Sequence, residues 1–313
     1  MPLGLRRGVV TAIVERHERL ARVEVDGIPC VAYPSLTGEV EVGDDVLVNE
    51  QARLLELGSG GFDVLYANLT RGLGLPPEEG AHVMALPYTP GQVARRHVEE
   101  TDRLSASLDG LPVVLCTVHS QLAPVCAALG GVRVAYVQVT GGALPVSLSD
   151  TVRTLQDRGL VELAAAVAPC FDAEAQFVTA AAALVWAREQ GYEVVVCSVG
   201  PGIVGTGSRL GHGALALADV ANAASALGGR PVLAVRASEA DSRERHRGVS
   251  HHAQAVLDLA LGDVVVAAEP DGDGWEEACA GLPLSHMGRG PGEDPVFFRA
   301  AYAAGAAARR LLG

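Results

Sequence analysis

From Leu111 onward the chain repeats one unit: a short apolar run, a polar or glycine-rich stretch, and a segment of helical character. The runs are Leu111–Val118, Val132–Val139, Glu193–Val199, Pro231–Val235 and Asp263–Ala268, rich in Val and Leu and without polar alternation. Helical stretches at Ala123–Leu129, Ser149–Arg158, Ala173–Glu189, Gly213–Leu227 and Ser250–Leu261 separate most of them. A strand with no polar side is covered on both faces, and strands alternating with helices pair in parallel. Residues 105–313 are therefore expected to form a doubly wound, mostly parallel α/β domain of Rossmann-like architecture.

The first 85 residues have a different rhythm. Arg7–Val14, Ala21–Val25 and Pro29–Tyr33 are short and strand-like, and Asp26-Gly27 is a hairpin signal. Gly38–Val48 leads into a further strand, and the glycine-rich turn Leu57–Phe62 precedes another at Asp63–Ala67. This pattern predicts a small β-barrel over residues 1–85. Pro76-Pro77-Glu-Glu-Gly80 reads as a connection, and Thr89-Pro90 as the N-cap and first position of a helix reaching about Glu100. A length of 313 residues suits two domains.

Composition removes several classes of function. A net charge of −13 argues against nucleic acid and anionic membrane surfaces as partners. All 24 basic residues are Arg, so no lysine is present to form a Schiff base or to serve in a Walker or kinase-type phosphate site. The six cysteines include no Cys-x-x-Cys pair, and no disulfide framework or structural zinc site is readable. The N-terminus has no apolar signal core, and the Ala-rich runs are broken by Asp or Arg short of a spanning length. A soluble, cytoplasmic protein is expected.

In a parallel sheet the loops after the strands gather along one edge, where ligands bind. Here they carry His119-Ser120-Gln121, Thr140-Gly141-Gly142, Gly200–Gly207, the block Arg236–His252 and Glu269-Pro270. Gly200-x-Gly202-x-x-Gly205 matches a dinucleotide fingerprint in form, but Thr206–His212 separates it from the next helix and argues against a nicotinamide site. Two readings remain for these glycines. Their amides, with Thr206, Ser208 and Arg209, could cradle phosphate or carboxylate, or the glycines could serve only positive φ and tight packing.

The block Arg236–His252 holds four Arg, three His, two Glu and one Asp in 17 positions. Such groups are costly to gather unless they bind something or pair with one another. Ser250 reads as an N-cap, so the helix dipole inclines His251 and His252 toward the neutral form, with one of the two facing the site. The plainer reading of Glu239–Arg247 is a solvated helix with an Asp241–Arg245 pair. His119, at a strand tip, is a candidate base, and His212 between two glycines has no apolar setting to make it core. Ser120 beside His119 lacks the elbow motif of a serine hydrolase. A metal site from His119, His246, His251 and Asp241 or Glu239 is chemically possible without a motif to support it.

At these segments the chain resembles a bacterial family known as domain of unknown function 3866. The resemblance rests on Val118–Gln121, Thr140–Pro145, Val199–Gly207, Arg236–His252, Met287–Arg289 and Asp294–Phe298, and spans nearly the whole chain. It implies no activity, cofactor or catalytic residue. Where that family has a Thr between Ser and Met, this chain has His286, so no shared role is implied for His286.

The expectation is an enzyme, or a degenerate one, acting on a small anionic or phosphorylated metabolite. His119, His246 and His251 would move protons, while Thr140, Gly141, Gly202, Gly205, Thr206, Gly207, Arg209 and Arg236 would hold the anion. His119, Thr140, the Gly200–Gly207 loop and one of His246, His251 and His252 should line a single electropositive pocket. No cofactor is readable. The alternatives are a non-catalytic metabolite-binding or assembly protein, with the barrel as a possible homo-oligomer interface, and a metal-dependent hydrolase.

Overall fold

The structure, a computed structural model, describes residues 4–55, 60–267 and 272–313. Part of the Leu57–Phe62 turn and the Glu269-Pro270 loop lie outside the described residues. The chain divides into two compact units, Met1–Arg96 and His97–Gly313.

In the first unit β1 (Leu5–Arg16), β2 (Ala21–Val25), β3 (Ile28–Ala32), β4 (Asp45–Asn49) and β5 (Asp63–Asn68) close into a barrel in the order β1-β2-β3-β5-β4. Single helical turns, α1 (Pro34–Thr37) and α2 (Gln51–Leu54), lie in its connections. Asp26 and Gly27 take φ of 52° and 77°, as the tight turn between β2 and β3 requires. Strand β1 closes the barrel because its first half pairs with β4 and its second half, through two irregularities, with β2. Alternate residues point inward, and Val10, Val23, Val25, Val46, Val48 and Leu65 fill the interior. Two buried carboxylates are fully paired: Asp63 with Arg6 (3.2 Å) and Arg53 (2.8 Å), and Asp44 with Arg71 (2.7 Å) and Asn68 (2.8 Å).

The helix expected from Thr89 to Glu100 does not form. Instead β6 (Val83–Ala85) pairs antiparallel with β7 (Val93–Arg95), followed by one 3₁₀ turn at Val98–Glu100. Gly91 follows Pro90 and the segment lacks a helical apolar period, so nothing rewards extension beyond a turn.

The second unit is built on β8 (Pro112–Cys116), β9 (Val134–Val139), β10 (Leu163–Val167), β11 (Ala175–Phe177), β12 (Val194–Val199), β13 (Arg230–Ala234) and β16 (Val265–Val266). All seven run parallel, in the order β11-β10-β9-β12-β8-β13-β16. A short antiparallel ribbon, β14 (Ala237–Ser238) with β15 (Gly248–Val249), stands apart from it. Its helices are α3 (Leu122–Ala128), α4 (Asp150–Asp157), α5 (Ala180–Glu189), α6 (Ala216–Ala226), α7 (His251–Leu259), α8 (Trp275–Ala278) and α9 (Pro295–Arg310). Helices α3, α4, α8 and α9 cover one face, packing on Val114, Cys116, Tyr136 and Val196. Helices α5, α6 and α7 cover the other, packing on Val113, Leu115, Val195 and Cys197. The fold is α/β and doubly wound.

Ala173–Glu189 is not one helix. Ala175–Phe177 is an edge strand beside β10, and α5 begins after Thr179, whose hydroxyl accepts the Ala182 amide (3.2 Å). Strand β10, Leu163-Ala-Ala-Ala-Val167, is made of helix-favouring residues, yet its position between β9 and β11 holds it extended. No helix among the described residues is long and apolar enough to cross a membrane.

Candidate functional site

Strand order decides where this fold can hold a ligand. The connections leaving β8 and β9 run toward the β11 edge, whereas those leaving β12 and β13 run toward the β16 edge. Divergent connections leave a crevice at the carboxyl ends of neighbouring strands. Here there are two, one between β9 and β12 and one between β8 and β13.

The β9/β12 crevice is built from glycine. The loop after β9 and the loop after β12 interlock through Ala143 N donating to Pro201 O (2.9 Å), Val204 N to Gly141 O (2.9 Å) and Gly213 N to Val204 O (2.8 Å). A Cβ on Gly141 would lie 2.4 Å from Gly213 O, and one on Gly142 would lie 2.2 Å from Gly200 O. These glycines exist because two backbones touch. Gly202 is glycine for its φ of +69°, and around Gly207 the space is open. The amides of Val204 and Thr206 are already spent within the loop, and the Thr206 hydroxyl on Ser208 and Gly211 O. The glycines meet the packing reading of the motif. The next helix, α6, begins only at Ala216, after a 3₁₀ turn, so the dinucleotide arrangement is absent. The loops enclose a cleft of about 1070 Å³ lined by Thr140, Gly141, Gly205, Thr206, His212 and Asn222, among others.

The residues expected to share one pocket do not all line this cleft. His119, His246, His251 and Arg236 lie outside the lining of this cleft, and Arg209 is exposed and paired with Asp258 (2.5 Å). His119 is a clamp: its Nδ1–H donates to Val199 O (3.2 Å), so Nε2 accepts from the Ser149 hydroxyl (2.7 Å) that also caps α4. Burial, outweighing the Val199 bond, pushes its pKa down to about 4. Both nitrogens are committed to neighbouring elements.

The β8/β13 crevice opens onto the Arg/His block. Gln121 ties the two strands there, its amide donating to Ala234 O (2.7 Å) and its oxygen accepting from Val118 N (3.1 Å). Glu239–Arg247 is no solvated helix: it is a loop between β14 and β15 with one 3₁₀ turn at Glu244–His246. Asp241 pairs with Arg243 (2.8 Å) and not with Arg245, because buried Asp241 lies among Arg243, Arg289 (3.5 Å) and Arg236 (3.6 Å). Arg243, through its guanidinium and its amide, holds the Asp241 carboxyl far below the usual range against the opposing effect of burial. Asp294 accepts from Ser238 (2.5 Å) and Arg289 (3.3 Å).

Arg236 is 2 % exposed, donates through Nη1 to His252 Nδ1 (3.1 Å), and leaves Nε buried without an acceptor. Burial and then Arg243 lower its pKa to about 10, so it stays charged at neutral pH. Three guanidiniums here, of Arg236, Arg243 and Arg289, face two carboxylates, of Asp241 and Asp294.

Four imidazoles pack beside Arg236. The ring of His212 stacks on His252 at 4.0 Å, and His251 lies 5.2 Å from His212, 4.9 Å from His246 and 4.5 Å from His252. Both adjacent histidines of α7 therefore join the cluster, because His246 and His212 close over the helix end from other loops. Ser250 fixes the corner, bonding His246 Nδ1 (2.7 Å) while accepting the His252 amide (3.2 Å). Burial first, then neighbouring cations and, for His246, His251 and His252, neighbouring rings, lower the pKa of all four, that of His246 to about 3. At His212 burial and Arg236 outweigh the Arg209 backbone, which raises it. They are neutral at pH 7. One nitrogen each of His212, His251 and His252 lies within 4.8 Å of the others. The metal set of His119, His246, His251 and an acid is not assembled, since His119 and Asp241 are committed elsewhere.

His286, to which the sequence gives no weight, belongs to this region. It stacks on Phe297 at 3.8 Å, bonds Ser120 through Nδ1 (2.9 Å), and has a buried Nε2 without a partner. Burial, then Arg236 and Arg289, take its pKa down to about 3. Only a tertiary contact between β8 and the segment before α9 reveals it.

No curated protein matches the chain. Residues 29–279 match the model of a family described as protein of unknown function (DUF3866), and the chain belongs to that family.

Proposed function

We propose that the β8/β13 crevice binds a small anionic metabolite, through a phosphate or carboxylate group, and that the neutral imidazoles beside it accept and return protons on the bound molecule. One observation carries this reading: the buried Arg236 guanidinium keeps an Nε–H with no acceptor, inside a group whose cations outnumber its carboxylates. A buried donor left unpaired costs about 1–3 kcal/mol, and more when charged. An oxyanion removes that cost and balances the charge. His251, whose Nε2 is unpaired, is the candidate to exchange protons, and His246, held down to about 3, joins it only as the bound anion raises its pKa. His119 does not share in this, and the glycine loops shape the site without cradling the anion.

The test is calorimetric titration with inorganic phosphate and with a panel of phosphorylated and carboxylated metabolites, followed by turnover assays on any compound bound. Saturable binding is expected, weakened by about 1.5–3 kcal/mol in Arg236→Met, the worth of a charge-assisted hydrogen bond. Arg289→Met, at a half-buried position, gives a second reading if Arg236→Met does not fold. Binding of equal strength in both variants would place the anion elsewhere. A ligand bound and never consumed would make the protein a binder and not an enzyme.

A further inference from the structure

We propose that His212, His251 and His252 form a site for a zinc-class divalent ion, held by three imidazoles with its fourth position open to water or an anion. The three rings come from two segments far apart in sequence, the loop after β12 and the first turn of α7, and one nitrogen of each lies within 4.8 Å of the other two. Zinc bonds of ~2.0–2.1 Å at tetrahedral angles put ligand nitrogens about 3.3 Å apart, so the rings must close in, and His212 and His252, stacked at 23°, must turn until both lone pairs meet at one point.

A second observation points to a ligand independently of that spacing. His212 is 6 % exposed, yet neither of its ring nitrogens makes a well-formed hydrogen bond, although the Arg209 backbone lies close enough to act on the ring, and the buried Nε2 of His251 has no partner. Buried nitrogens are seldom left so, and a metal ion would use those lone pairs directly. Neutral imidazole is the ligating form, and burial keeps all three rings neutral. His246, whose Nδ1 is bonded to Ser250, lies outside the group of converging nitrogens.

The donor set also selects the ion. With no carboxylate or carbonyl among the three it does not suit magnesium or calcium, whereas imidazole suits zinc, cobalt, nickel and copper. Ligation by His252 takes the lone pair that Arg236 Nη1 now uses, so three neutral ligands leave the whole charge of the ion in place beside a released Arg236 guanidinium. That favours hydroxide or an anion as the fourth ligand. The metal site uses different atoms from the unpaired Arg236 Nε, so anion binding and zinc binding can fail separately, but it takes the His251 ring that the proposed function gives to proton exchange and would leave that role to His246.

Chelator-treated full-length protein, titrated with zinc alone against a chromophoric competitor, should take up one equivalent tighter than micromolar. Cobalt should give the intense visible bands of a four- or five-coordinate ion. His212→Ala and His251→Ala should each weaken zinc by about 100-fold or more, while His17→Ala in the barrel leaves affinity unchanged. Should a variant not fold, the cobalt-loaded wild type decides: three imidazoles with paramagnetically shifted proton signals are expected. No saturable equivalent, wild-type affinity in the folded variants, or fewer than three shifted imidazoles would overturn the proposal.

Discussion

Among the described residues, the buried charge network around Asp63 and the one around Arg236 end differently. In the barrel, Asp63 is wholly buried between Arg6 and Arg53, and Glu50 pairs with both of those arginines. None of these four residues has a buried side-chain atom without a partner. In the α/β unit, three guanidiniums meet two carboxylates, and Arg236, His212, His251 and His286 each keep an unpartnered nitrogen. The first network closes on itself and holds strands together. The second is open, and a group from outside would complete it. Clustered charge in the sequence does not separate the two cases; the bookkeeping of partners does.

Acid should separate the networks most strongly. His119 and His286 have folded pKa values near 4 and 3, below an unfolded value of about 6.5, so between these limits the unfolded state binds more protons. Their stabilisation of the α/β unit is whole above pH 6.5 and is lost as pH falls toward 4, with a slope of up to about 1.4 kcal/mol per pH unit for each group. In the barrel, burial raises the pKa of Asp44, but Arg71, the Glu41 amide and Asn68 together outweigh it. Its contribution is present above the unfolded value of 3.8 and is lost only below it. Both tryptophans, Trp186 and Trp275, lie in the α/β unit, so their fluorescence follows that unit alone. Denaturant midpoints read this way should fall from pH 6.5 to 4. Midpoints flat over that interval would refute the neutral, buried state of these rings.

Breaking the closed network should cost more than trimming the open one. Asp63→Ala removes the buried carboxylate that Arg6 and Arg53 share, leaving them Glu50 and Asp26, and should destabilise the barrel by about 2–3 kcal/mol. Arg236→Met removes an excess cation and should cost the α/β unit less than about 1 kcal/mol, as replacement of residues held for function commonly does. Equal losses in chemical denaturation would make the second network structural like the first.

The two crevices can be distinguished in the same way. Gly141→Ala meets Gly213 O at 2.4 Å and a φ of +118°, and should destabilise by about 1–3 kcal/mol. Removing the His119 clamp with His119→Ala should cost about 1–2 kcal/mol while phosphate affinity is unchanged; a matching loss of affinity would return His119 to the site. Gly207→Ala, with nothing within 4 Å, should stay within about 0.5 kcal/mol of wild type.

The same division shows what the sequence makes legible. Strands made of Val and Leu, such as Val194–Val199, announce a parallel sheet because no polar side chain tells their two faces apart. Strand β10 hides because its Ala-rich segment is helical by propensity, and only its sheet neighbours hold it extended. Helix α9 passes unnoticed because Pro295 and Gly305 punctuate an Ala-rich run, and Gly305 is there for contact: its Cβ would lie 2.3 Å from Val125 O. In the site, the Arg/His block stands out through density of charge, and His212 through its isolation between glycines. His286 has no local signature, because its partners Ser120 and Phe297 meet it only through the fold.

The most direct measurement is the anomalous signal of selenate in crystals of the wild-type protein. A tetrahedral oxyanion should occupy the β8/β13 crevice, with one oxygen within hydrogen-bond distance of Arg236 Nε, and should be absent from the same position in Arg236→Met. Selenate confined to other sites at saturating concentration, with Arg236 Nε bonded to a protein acceptor, would contradict the account.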